Sequence, residues 1–493
     1  MGWNVEDKQQ PDLPRGNLDL EAGRILRGLA EDGVLFRVGW EGLLRHLLAD
    51  YHSGSIFKAT PEQLRSAAAR SLDLQPSELP LEAAKLASEV FTEWLRIDKL
   101  PRDEFVSLQQ DAAEDLRQIR ANISECELEL SELQDRKAND AEEDGDGHRA
   151  AYLQHKIAQN VDARNELLQF MEEGVTDEVL FRASERAYRK LLPMSFFWFR
   201  FPYHFRYAPH AYSPSSLSEV RNKFRDEPVS VVREWERLFD DDRAKFHVEA
   251  ARHIDERKVV DAVRARLRNH HRLVLRAEVL EQALDAYEGG MYALFCNVIP
   301  VQIEGLVGDW ARELGVSEKE LRKAALTLKV DQIRKTETVF GDFEYFRYWF
   351  PVLRNRVAHG QFEAANVSQV ANLLLLDLAD LCSRLHDELL PTNKLVALLR
   401  GLDATSPNYE KAFEYVGLRH VAPPDFYSLD AKRAEADTIL SSDGFWTWMD
   451  EHVASREPEF VSEAREAVIS LKKSGLDGGR APALLKKMAE AGL

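Results

Sequence analysis

The stretch "LRQIRANISECELELSEL" (116–133) decides the fold class. Leu116, Ile119, Ile123, Cys126, Leu130 and Leu133 recur at alternating three- and four-residue intervals, with Glu, Gln, Arg and Ser at most positions between them. That spacing lays the apolar residues along one stripe of a helix, the a/d seam of a coiled coil. An acidic stretch, "KANDAEEDGDGH" (137–148), follows, and then a second amphipathic run carrying Leu153, Ile157, Val161, Leu168 and Met171. Two such runs joined by a short polar connection predict an antiparallel helical hairpin over residues 103–175, projecting from the body. The connection alternates Asp140, Glu142 and Asp144 before Gly145, but the twelfth position counted from Asp140 is Ala151, where a calcium loop needs a bidentate Glu. It reads as a solvated tip.

Upstream, residues 1–102 read as an N-terminal helical domain. Apolar residues fall at helical spacing over 22–51 and 61–74, and "ATPEQL" offers Thr60 as an N-cap with Pro61 in the first turn. His46, Asp50 and His52 lack a further partner at metal-ligand spacing and read as solvated or capping groups. The 493 residues are enough for about three domains. With 44% hydrophobic and 30% charged residues, collagen-like, mucin-like and wholly disordered chains are excluded. Three separated cysteines, Cys126, Cys296 and Cys382, exclude a disulfide framework and a CxxC zinc cage and fit a reducing compartment. There is no apolar run of bilayer length and no apolar segment in 1–15, so a cytoplasmic protein with no membrane contact is expected.

Charge is unevenly spread. The chain carries a formal −19, yet residues 182–276 hold 21 Lys and Arg against 13 Asp and Glu. Any polyanion would have to be met by this local excess, because the overall field repels it. Within it, "SFFWFRFPYHFRYAPHAYSP" (195–214) interleaves aromatics with Arg200 and Arg206, and "RLRNHHRLVLR" (266–276) adds Arg266, Arg268 and Arg272. Rings that stack on bases and guanidinium groups that meet phosphates make this basic, aromatic-containing middle segment (176–271, with the start of the next) a candidate nucleic-acid track. The alternative is that the aromatics simply fill a core. His270 and His271 are adjacent, point apart on a helix, and read as phosphate contacts or plain surface.

Residues 272–390 read as a helical bundle: one long helix over 273–314, with Gly289 and Gly290 inside it and Pro300 kinking or breaking it, then shorter helices, then an apolar helix over 367–390 as the back wall. Residues 391–493 read as a small helical domain. The chemistry sits in "LRNRVAHG" (353–360), where Pro351 can open a short helix and Gly360 can end it. Asn355 and His359, four apart, share a helix face, with Arg354 one position aside. An imidazole to move protons, a guanidinium to brace a charged phosphorane and an amide to orient them suit phosphodiester chemistry.

This motif resembles the R-N-x-x-x-H form of the Rx4-6H signature of HEPN domains, and "IPVQIEGLVGDW" (299–310) is similar to the helix that precedes that signature and carries an acidic residue, here Glu304. The resemblance covers about 272–390. It implies a HEPN-like helical bundle within a mostly α, multi-domain protein, acting as a metal-independent endoribonuclease. Such domains dimerise so that two motifs face one cleft, where the RNA 2′-hydroxyl attacks the adjacent phosphate. His359 would be the general acid/base, Arg354 the phosphorane stabiliser and Asn355 the orienting group; Glu304 is carried over without a fixed role, because acidic residues in that helix vary in role, and the structural alternative is that Arg354 and His359 cap carbonyls and pair with Glu304 inside the bundle. A regulated toxin or phage-defence effector is the corresponding biological expectation, with RNA as substrate, a homodimer through this domain, and the hairpin as a possible protein-docking arm. The alternative is a non-catalytic HEPN module for dimerisation or regulation. No cofactor is expected: the chain has no P-loop, no G-x-G-x-x-G, no G-x-S-x-G and no H-E-x-x-H. The His386-Asp387 pair lacks the further ligands of an HD metal site, and "GLDGGR" (475–480) reads as a turn.

Overall fold

The computed structural model describes residues 28–49, 54–94, 97–139, 145–183, 205–207, 209–337, 343–361, 366–453 and 458–490. The described residues are helices and their connections, with no strand among them. The chain forms two compact units, Met1–Glu142 with Ala150–Ser216, and Glu143–Arg149 with Leu217–Leu493.

In the first unit, helices α1 (Trp40–Ala49), α2 (Pro61–Leu72) and α3 (Ala83–Glu89) enclose a core that includes Leu43, Leu44, Leu64, Leu86 and Phe91. Thr60 caps α2 as its sequence suggests. Its hydroxyl accepts the Gln63 N–H at 3.4 Å, and the Gln63 side chain accepts the Thr60 N–H at 2.9 Å, which satisfies two otherwise orphaned donors.

The hairpin consists of α4 (Pro101–Ala138) and α5 (Asp146–Gln169), followed by α6 (Val175–Ala183). On α4, Ala112, Ile119, Cys126 and Leu133 are buried at heptad intervals, and Leu116, Ile123 and Leu130 flank them half-buried. The stripe on α5 differs from the expected one. Leu153, Lys156, Asn160, Ala163 and Leu167 form the buried seam, continued by Phe170, whereas Leu168 is 47% exposed. The polar residues hold seam positions because each has partners. Asn122 Nδ2 donates to Asn160 Oδ1 at 3.2 Å, Asn160 Nδ2 donates to the Tyr212 carbonyl at 2.8 Å, and Lys156 donates to the Ala211 carbonyl. A buried amide pair of this kind costs stability and fixes register.

The second unit opens with α7 (Val229–Asp241), α8 (Arg243–Glu256) and α9 (Val259–Asn269). The single helix expected over 273–314 is instead two, α10 (Ala277–Glu288) and α11 (Tyr292–Glu313). Gly290 sets the break: at φ +70° it takes the left-handed conformation, its N–H donates to Tyr287, and the Met291 N–H donates to Ala286 at 2.8 Å, closing α10. Pro300, by contrast, does not break α11, which runs on through it. Packing compensates for the missing hydrogen bond, since Phe295, Cys296, Ile299, Ile303, Leu306 and Trp310 are all buried.

Next come α12 (Glu318–Leu321), α13 (Leu326–Thr336), a π-helical run Tyr345–Trp349 leading directly into α14 (Phe350–Ala358), and α15 (Val367–Leu385). α15 stops at Leu385, five residues before the expected end, with the N–H of His386 closing on Arg384 and Ser383. Pro391 then opens α16 (Pro391–Gly401). Helices α17 (Tyr409–Leu418), α18 (Asp430–Ser441), α19 (Asp443–Val453), α20 (Pro458–Lys473) and α21 (Ala481–Glu490) join α16 around a separate core that includes Leu399, Tyr415, Phe445, Met449 and Leu471.

α15 is buried nearly all round, the pattern of a central helix. Asp377 lies inside it at 0% exposure and pairs with Lys223, itself buried. Tyr345 donates to Asp377 Oδ2 at 2.7 Å and accepts from Lys223 at 2.9 Å, and Asn222 donates to Asp377 Oδ1 at 2.7 Å. Replacing one member, as in Lys223→Met, leaves a carboxylate buried without its cation and should lower stability by about 3–5 kcal/mol. The double variant Lys223→Met with Asp377→Leu should recover much of that loss. Urea unfolding of the three proteins measures both effects; a Lys223→Met variant as stable as the parent contradicts the assignment.

Candidate functional site

α14 carries the Arg354–Asn355–His359 motif. Its end is built as the sequence suggests: His359 is the C-cap, Gly360 follows at φ +64°, the Gly360 N–H donates to Val357 at 3.0 Å, and the Gln361 N–H donates to Arg356 at 2.9 Å. This pair of bonds satisfies the last carbonyls of the helix without using a side chain, so the His359 imidazole is not needed as a cap. His359 is exposed, while Val352 and Val357 of the same helix are buried.

Arg354 and Glu304 meet, a pairing that a purely structural role for the arginine also makes. Arg354 Nε lies 3.1 Å from Glu304 Oε2, an ion pair without directed hydrogen-bond geometry. Lys329 of α13 donates to the other oxygen, Oε1, at 3.3 Å, a partner that the sequence reading missed. The Arg354 side chain is 41% exposed, so the pair is solvent-screened, contributes about 1 kcal/mol or less, and leaves the guanidinium reachable. The neighbouring Gly305 has a packing reason: a Cβ there would fall within 2.5–2.7 Å of the Arg276 guanidinium, which crosses α11 to reach Asp309 at 2.7 Å.

The candidate nucleic-acid residues fare differently. Arg200 lies outside the described residues. Arg206 is turned onto Asp111, which also pairs with Arg182, and the neighbouring Phe205 is buried, so the described part of the aromatic stretch packs as core. Arg268 meets Glu281 at 3.0 Å, and Arg272 meets the buried Glu313 at 2.8 Å. Arg266 makes no ion pair or hydrogen bond among the described residues and is half-buried. Elsewhere in the segment Arg221, Arg252, Arg257, Arg264 and Arg276 are also paired with carboxylates. The positive excess of the segment is thus largely neutralised where it stands.

The histidines at 270 and 271 contradict their surface reading. The pair sits just beyond the end of α9, with His270 extended and His271 in the turn that follows; the two ring centroids are 4.6 Å apart, and His270 is 1% exposed. His271 Nε2 lies 3.0 Å from Glu313 Oε1, which Arg272 also holds. Burial pulls the His270 imidazole down to about 4, helped by the neighbouring His271 and His386. Burial works to raise the Glu313 carboxyl, but the His271 and Arg272 side chains beside it outweigh this and hold the group at about 2. His386 is half-buried with its ring centroid 5.0 Å from that of His270, and its Nδ1 lies 3.0 Å from the Cys382 carbonyl. The thiols of Cys296 and Cys382 are pushed up to about 12 by burial.

No family model matches the chain, and neither a curated protein nor a solved structure does.

Among the described residues, four histidines are held below their ordinary range chiefly by burial: His247, His253, His270 and His386. The unfolded chain takes up these protons at about pH 6.5, and the folded chain only at lower pH. Stability is therefore expected to fall as pH drops below about 6.5, well before carboxylates titrate. Urea midpoints at pH 7.5 and 5.5 test this, and His253→Gln should reduce the difference. A midpoint that is flat or rises on acidification contradicts it.

Proposed function

We propose that the chain is a metal-independent endoribonuclease of the HEPN type, acting as a homodimer in which two α14 helices flank one cleft. The observation that carries this reading is the exposed His359 at a helix end whose carbonyls are already satisfied, on the same short helix as a half-exposed Arg354 braced by Glu304. A histidine in that setting is free for proton transfer, not engaged in structure. In the reaction, His359 takes the proton of the RNA 2′-hydroxyl or supplies one to the departing 5′-oxygen, the two roles falling to the two copies of the motif. The 2′-oxygen attacks the adjacent phosphate, and the products are a 2′,3′-cyclic phosphate and a 5′-hydroxyl. Arg354 stabilises the negative charge that grows on the phosphorane oxygens, and Glu304 with Lys329 limits where its guanidinium lies. Asn355 orients the substrate or the imidazole.

The ion pairing of the basic segment favours a second reading, a HEPN interaction module without catalysis. Nucleic-acid affinity rests on unpaired cations that replace condensed counterions, and most of these arginines already face carboxylates.

Incubation of the full chain with mixed cellular RNA in excess EDTA separates the two. The ribonuclease reading expects cleavage with cyclic-phosphate ends. His359→Ala should slow it by about 10²–10⁴, and Arg354→Ala by about 10²–10³. An inactive parent supports the interaction module, and cleavage that survives His359→Ala at the parental rate removes this imidazole from the chemistry.

A further inference from the structure

The side chains of His270, His271 and Glu313 converge from two separate elements, the segment just after α9 and the last turn of α11. One ligand-type atom from each lies within 4.8 Å of the other two. The polar atoms at this point are not all spoken for. Arg272 N–H lies 3.3 Å from His270 Nδ1, and Nε2 of the same ring is buried without a hydrogen-bond partner; a metal on Nε2 takes the tautomer protonated at Nδ1, which gives up that contact. On Glu313, Oε1 takes both the Arg272 Nε at 2.8 Å and the His271 Nε2 at 3.0 Å, while Oε2 is buried and has none. The Thr392 hydroxyl also faces the carboxylate, but no donor makes an ordinary hydrogen bond to Oε2. His386, adjacent to His270, has a buried Nε2 that is likewise unpartnered. Buried polar atoms without partners are uncommon because each costs about 1–3 kcal/mol. Here they gather at one place, among imidazoles and a carboxylate.

We propose that His270, His271 and Glu313 form a binding site for a divalent transition-metal ion of the zinc class. Two imidazoles and one carboxylate are a donor set that zinc accepts, with a fourth position left for water. Zinc–nitrogen bonds of about 2.0 Å place tetrahedral ligand atoms about 3.3 Å apart, so the present spacing needs to contract by about 1.5 Å at most. Oxygen-only hard cations such as Mg²⁺ are poorly served by two imidazoles. Arg272 is the opposing element. Its positive charge already neutralises Glu313 on one oxygen, so affinity is modest, and the arginine acts as a brake on metal loading. This site does not depend on the ribonuclease reading, whose chemistry lies at α14.

Cobalt(II) is the probe, because it takes zinc sites and reports ligand number through its visible absorption. The full chain, stripped with chelator and desalted, should bind one equivalent of Co²⁺ with the intensity of a four-coordinate ion, and one equivalent of Zn²⁺ should bleach it. Glu313→Gln and His271→Gln should each weaken binding by at least about tenfold, the loss seen even for an outer-shell partner. Arg272→Gln should tighten it, an effect that a purely structural ion pair does not predict. Circular dichroism checks that each variant is folded; if Glu313→Gln is not, the parent titration and Arg272→Gln still decide the matter. Absence of a saturable cobalt spectrum in the parent, or a spectrum unchanged in folded His271→Gln, overturns the proposal. RNA cleavage in EDTA plays no part in this test, so the two readings fail separately.

Discussion

A charge buried at the centre of the most enclosed helix constrains the second unit. Asp377 sits on α15 with no exposure, and moving a carboxylate there costs several kcal/mol before any partner is counted. Lys223 and its neighbour Asn222, from one short helical turn, and Tyr345, from more than 100 residues further on, offset that cost together. The arrangement adds little net stability compared with an apolar core, but it permits only one rotation of α15 and one placement of Tyr345. Tyr345 begins the π-helical run that flows into α14. The position of the Arg354–His359 helix is therefore tied, through one phenol, to a carboxylate on a neighbouring helix. π-helical turns often occur at functional sites, where they re-aim the residues that follow.

Local features were legible in the sequence where a single residue type has a single mechanical use. Thr60 before Pro61 capped a helix, and Gly360 ended one, because no other local solution serves as well. The apolar stripe on α4 was read nearly in place. The stripe on α5 is not legible from apolar periodicity alone. Lys156 and Asn160 occupy it, and their partners, the carbonyls of Ala211 and Tyr212, come from 50 or more residues away. The same limit hid the break at Gly289-Gly290. Two glycines within an apolar periodic run look tolerable until the packing of α10 and α11 is known. The Glu304–Arg354 contact was within reach because both residues belong to motifs, whereas Lys329 had no motif to announce it. For His270 and His271, assuming a helical backbone sent the rings apart, and the chain leaves the helix one residue before them.

Charge counted along a sequence window is a poor guide to the field at a surface. The excess of Lys and Arg over 182–276 suggested a track for a polyanion, and folding sets many of those arginines against glutamates and aspartates. Arg264 alone faces Asp285 and Glu288 at 2.6 and 2.7 Å. Pairs of this kind contribute little to stability at the surface, about 0–1 kcal/mol each, but they remove the unmatched charge that attracts a phosphate backbone.

The three cysteines share one fate, complete burial: Cys126 in the hairpin seam, Cys296 on α11 and Cys382 on α15. Burial pushes the Cys296 and Cys382 thiols up to about 12, which keeps them away from the reactive thiolate form at neutral pH. Burial of all three sulfurs shields them in the folded chain from peroxide, disulfide exchange and alkylating labels. A single cysteine placed on its surface would stand alone as a chemical handle, so fluorophores or spin labels can be attached at a chosen helix without first removing the native sulfurs.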